Sequence, residues 1–241
     1  MQRTTRRRFM SGLGAAAAVT AGGGGVLAAA QGGAGAARRR AAPFRAARHA
    51  QDDWLDAIPG DHRMIIDAVT PHGAGEAILF AANLYEANQS GYGLKDKDLA
   101  IVICMRHFAT PFAYSDAFWA KRGPMAAGML KSLAPGVDVI DPGTKQPPVR
   151  NVYEATDFDP MALPNFGNTL DSVLKRGTEL AVCDAATHFL AGQIAKATGA
   201  DADAVHKELV DSAVPGSHFV AAGVVAINRA QERGYTLIYA G

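Results

Sequence analysis

Only two cysteines, Cys104 and Cys183, occur in the 241 residues of this chain, too few for a disulfide-stapled scaffold. There is no Cys-x-x-Cys and no Cys-x-x-Cys-His, so thioredoxin-type redox chemistry and covalent haem attachment lack their signatures. Gly-x-Gly-x-x-Gly is absent, which removes the dinucleotide fingerprint. No Ser-His-Asp elbow and no paired carboxylates in a glycosidase or protease setting occur, and no internal repeat is detectable. Acidic residues are missing altogether before Asp52.

That acid-free beginning has its own pattern. Arg3, Arg6, Arg7 and Arg8 are followed by a stretch, Ser11 to Ala30, built almost wholly of Ala, Gly, Val and Leu. A basic start, a short apolar run and small residues at a cleavage point make a signal peptide. The run Thr5-Arg6-Arg7-Arg8-Phe9-Met10 adds the paired arginines of the twin-arginine route. Gly22 to Gly25 would make a poor spanning helix, so no stable membrane anchor is expected. Residues 1–30 are therefore predicted to be an export signal, cut after Ala30 or Ala36. Residues 31–60 are predicted to be a basic linker and residues 61–241 one folded domain, placed in the periplasm or secreted.

Charge changes sign along the chain. The whole sequence has a formal net charge of +1, but from residue 51 onward 15 basic residues meet 23 acidic ones, a net of −8. An acidic body argues against a nucleic-acid partner.

From residue 62 short β-rich runs alternate with amphipathic stretches. Strands are predicted at Met64–Val69, Leu99–Cys104, Thr178–Cys183, Ser217–Val220 and Tyr235–Tyr239. Between them, helical spacing covers residues 74–91, 113–121, 168–176, 185–194, a segment capped by Asp201 or Asp203, and Gly223–Arg233. Residues 106–165 read as an insertion; residues 123–165 alone hold seven prolines, with a possible strand at Gly136–Ile140. Repeated strand–helix alternation predicts a three-layer α/β fold: a mainly parallel sheet with helices on both faces, flavodoxin- or Rossmann-like.

In such sheets, ligands bind beyond the carboxyl ends of the strands. Three strand ends carry suitable residues: His72, Gly73 and Gly75; then Cys104, Arg106 and His107; then Cys183 and Asp184. Arg106 and His107 suit an anion, as do free amides at the helix starting near Gly73. Each has a plainer reading: strand-end cysteines are often small core residues, and loop histidines often bond backbone. Asp184 and His188 lie four apart, a metal-compatible spacing that an ordinary surface pair also explains, and no metal is assigned. His218 is expected to be structural, and Tyr92, Tyr114 and Trp119 to pack. Apolar residues around Phe108, Phe112, Phe118 and Trp119 suit either a subunit face or burial within one chain.

The segments Glu179-Leu180-Ala181-Val182-Cys183, Val214-Pro215-Gly216-Ser217 and Gln231-Glu232-Arg233-Gly234-Tyr235 together resemble the DsrE/DsrF-like family of small sulfur-relay proteins. That resemblance is specific over residues 178–239 and is nearest the exported, twin-arginine branch. It implies a sulfur carrier at Cys183, a sulfur-donor or thiol partner protein, and a homo-oligomer; it names no cofactor. Residues 106–165 make this chain longer than the small cytoplasmic members. A non-catalytic module binding a small anion or metal at the same rim is the alternative, and an oligomeric partner protein a third.

Overall fold

The computed structural model describes residues 45–134 and 136–241; the expected export signal and the first part of the linker lie outside the described residues. Five strands form one all-parallel sheet: β1 (His62–Ala68), β2 (Leu99–Met105), β3 (Glu179–Cys183), β4 (Ser217–Val220) and β5 (Thr236–Ala240). Their spatial order is β4-β3-β2-β1-β5. The helices are α1 (Trp54–Ala57), α2 (Pro71–Tyr92), α3 (Asp116–Leu133), α4 (Leu170–Leu174), α5 (Asp184–Thr198), α6 (Ala202–Asp211) and α7 (Gly223–Gln231), with a 3-10 helix at His107–Ala113.

The two-residue period of the strands sorts their side chains between two cores. Ile66, Ile101, Ile103, Leu180 and Val182 enter the larger core with α2, α3, α5 and α6. Their neighbours Ile65, Ala100, Val102, Cys104 and Ala181 enter a smaller core under α1 and α7. Ile65 and Ile66 are both 0% exposed, each contributing roughly 1.5–3 kcal/mol of burial. Covering both faces explains why β2 is an unbroken apolar run.

The chain steps from β1 across to β4 with its helices on the larger-core side. It then returns through α7 on the opposite side to place β5 beside β1. Helices leaving the adjacent ends of β3 and β4 therefore go to opposite faces, which opens a crevice there.

Some predicted elements shift. α3 runs straight through Pro124 to Leu133, whereas the sequence reading stops that helix at residue 121. The lost backbone bond at Pro124 is outweighed because Ala126, Ala127 and Leu130 bury beyond it. Residues 106–133 are thus the regular crossover from β2, and the irregular segment begins after α3. No strand forms at Gly136–Ile140; Val139 is instead buried in the larger core. The C-terminal part of the predicted linker is not solvated, since Leu55 and Ile58 are 1% and 5% exposed in the smaller core. Phe112, Phe118 and Trp119 are buried within the chain, which removes them as a subunit face, while Tyr92 is 79% exposed rather than packed. His218 stacks on Trp54, with centroids 4.0 Å apart.

Within the irregular segment, both Glu154 carboxylate oxygens accept the Asp171 amide at 3.1 Å, at the start of α4. Burial pushes the Glu154 carboxyl from 4.5 up to about 7, with the negative charges of Asp171 and Asp116 adding to the rise. The folded state therefore holds this proton over a range where the unfolded chain has released it. Stability should fall as pH climbs from about 4.5 to about 7, by roughly 1–2 kcal/mol after solvent screening. Melting curves should show that slope flattened in Glu154→Gln; an unchanged slope would assign it elsewhere.

Candidate functional site

The crevice is a cleft of about 480 Å³ beyond the carboxyl ends of β2, β3 and β4. Met129, Leu130 and Leu133 of α3 form one wall; Ala186, Phe189 and Leu190 of α5 form the other. Arg106, His107 and Cys183, three of the residues expected to converge, line it together. The volume is that of a small-molecule site, and the walls are mainly apolar.

Cys183 closes β3 and is the N-cap residue of α5, yet its side chain makes no capping bond. It is 7% exposed, whereas Cys104 is 0% exposed. Cys104 turns into the smaller core against the Gly223 carbonyl, 3.7 Å away. Burial, aided by the charge of Asp67, pushes its thiol far above the ordinary range. Both cysteines are free. Cys104 is aligned with Ala181, two residues before Cys183 on the neighbouring strand. That diagonal separates their Cα atoms by about 8 Å, beyond disulfide reach.

Arg106 is not a free cation. Its Nε and Nη2 donate to the two oxygens of Asp67 at 2.6 and 2.9 Å. This pairing holds the guanidinium more firmly protonated than usual. Asp67 is 6% exposed, so the pair is largely internal, and an anion in the cleft would compete with a carboxylate already in place. His107 sits at the cleft edge in the left-handed backbone region, φ 56°, with its ring against Phe108 at 3.9 Å. Non-glycine residues adopt that region uncommonly, histidine more readily than most.

The other predicted residues lie elsewhere. His72 lines a second cleft of about 430 Å³ with Val139, Tyr153 and Pro164, and its Nε2 is 3.5 Å from Glu76. The Gly73 amide is already used, donating to the N-cap hydroxyl of Thr70 at 2.9 Å. A Cβ on Gly73 would come within 2.4 Å of the Ala240 carbonyl, and one on Gly75 within 2.6 Å of Pro164 and Tyr153. Both glycines thus serve close packing.

Sequence reasoning missed three contributors: the α3 wall, the Asp67 partner of Arg106, and Phe189 as a wall residue. The α3 wall was hidden because Pro124 reads as a helix stop. Asp67 was legible only as a lone acid inside an apolar strand, itself a signal of a buried partner.

By fold and site, this is a three-layer, doubly wound α/β protein with an apolar cleft at its topological switch point. No family model and no curated protein matches the sequence. Among solved structures it is similar to a protein of unknown function from Methanobacterium thermoautotrophicum, at 13% identity, with TM-score 0.34, covering 74% of this chain and 99% of that one.

Proposed function

We propose that this chain is an exported, DsrE-like thiol-handling protein that carries sulfur on Cys183. The observation that carries the reading is the position of Cys183: a free, uncapped thiol at a strand end, lining an apolar cleft at the switch point. The step needs a persulfide or polysulfide donor. The Cys183 thiolate attacks the outer sulfur of the donor R–S–SH; the donor S–S bond breaks, and its electron pair leaves with R–S⁻. Cys183 then holds –S–SH, and a partner thiolate reverses the exchange. The apolar walls shield the carried sulfur from water. Arg106, neutralised by Asp67, leaves the cleft better suited to a donor with an apolar or neutral body than to a multiply charged anion.

Export rests on the twin-arginine pattern of residues 1–30, and it places the exchange outside the cytoplasm.

The test is intact-mass analysis after exposure to polysulfide. The native chain should gain sulfur that reduction removes and that maps to Cys183; Cys183→Ser should gain none. Loading that survives Cys183→Ser, or that maps to Cys104, overturns the reading. A non-catalytic binding module is the second reading, but the mainly apolar lining of the cleft favours a small apolar ligand over the anion or metal expected from the sequence. It predicts a small apolar ligand that raises the melting temperature of Cys183→Ser as much as that of the native chain.

A further inference from the structure

A different face of α5 carries a second cluster. Asp184 is the first residue of α5, His188 follows one turn later, and His206 reaches over from α6. One side-chain donor atom from each lies within 4.8 Å of the other two. His206 Nε2 is 2.7 Å from one Asp184 oxygen, and His188 Nε2 is 3.5 Å from the other. The two imidazoles stack face to face, centroids 3.7 Å apart and planes 7° apart. The Asp184 and His206 side chains are 31% and 21% exposed, while that of His188 is 57% exposed.

From this geometry we infer that Asp184, His188 and His206 form a binding site for a first-row divalent cation of the Zn²⁺ type.

An ordinary ion pair joins Asp184 to His206 at 2.7 Å and leaves His188 Nε2 3.5 Å from the other oxygen, beyond a close hydrogen bond. One carboxylate can pair with one imidazolium, but protonating both rings would put two like charges face to face at 3.7 Å. A divalent ion serves all three groups at once. Each imidazole stays neutral, gives the ion its Nε2 lone pair and keeps its proton on Nδ1, while one Asp184 oxygen completes the set. Two imidazole nitrogens with one carboxylate oxygen suit Zn²⁺ and its neighbours, leaving a fourth position open to water. Donors bound to one such ion stand about 3–4 Å apart, close to the present spacing, and binding would splay the stacked rings until their in-plane Nε2 lone pairs converge on the ion. The exposure of His188 provides the entry path. Since the ligands come from two helices, the ion would clamp α5 against α6.

Titrating tag-free protein with Co²⁺ while recording visible absorption tests the site. One equivalent should bind saturably, be displaced by Zn²⁺, and raise the melting temperature. His188→Ala and His206→Ala should each weaken binding at least about tenfold, with melting in the absence of metal kept near native. Cys183→Ser should bind as the native chain does, which separates this site from the sulfur-carrying one. No saturable binding, binding unchanged in both histidine variants, or a thiolate charge-transfer band lost in Cys183→Ser would each overturn the inference.

Discussion

Replacing Asn151 by alanine is expected to lower the unfolding free energy by about 3–5 kcal/mol, a large share of the usual 5–15 kcal/mol. Asn151 is 0% exposed and joins the irregular segment to the crossover from β2. Its Nδ2 donates to the Phe112 and Tyr114 carbonyls at 2.9 and 3.0 Å, and its Oδ1 accepts the Tyr153 amide at 3.1 Å. Alanine would leave three buried backbone groups without partners, each costing about 1–3 kcal/mol before relaxation. The change would also loosen Tyr153, whose hydroxyl donates to the Pro71 carbonyl at 2.6 Å. Urea unfolding should show a lower midpoint with an unchanged slope. A loss below about 1 kcal/mol would mean that water or a neighbour re-satisfies these groups.

The Asp67–Arg106 pair should give the second large effect, with a measurable asymmetry. Removing one member of a buried pair costs about 3–5 kcal/mol because the other charge is stranded. The Asp67 side chain is 8% exposed and that of Arg106 23%. Arg106 has some access to water from the cleft and Asp67 has little, so Arg106→Ala should destabilise more than Asp67→Ala. The double variant should lose less than the sum of the two, by about 1–3 kcal/mol. Additive losses would show that the pair contributes packing rather than charge.

The sheet was the most legible part of this sequence. Each of the five predicted strands falls within two residues of its observed ends, because a strand covered on both faces leaves a short apolar run and glycine or proline closes it. Asp201 was readable as a cap and does accept the Ala204 amide at 2.9 Å. What failed was any rule that treats one residue as decisive. Pro124 ends a helix in isolation but not where Ala126 and Leu130 have a core to enter. The Gly73 and Gly75 pair, read as ligand-facing, also allows the last strand and Tyr153 to press against α2.

The site was legible in part. Cys183, Arg106 and His107 share one cleft because β2 and β3 are neighbours, a fact of strand order that one sequence does not carry. His206 lies 22 residues from Asp184 and on another helix, so no local spacing could have joined it to the Asp184–His188 pair.

The place of β5 has a consequence for how the molecule is made. Its partner is β1, the first of the five described strands in chain order, with Met64–Ala68 aligned to Thr236–Ala240, and Ala240 also abuts Gly73 at the start of α2. Translation therefore releases the other four strands of this sheet before the one that seals the flank of β1. A nascent chain must hold that flank bare until β5 itself clears the ribosome, inviting capture by another strand. Losing β5 would leave that flank of β1 unsealed, however complete the rest of the sheet is.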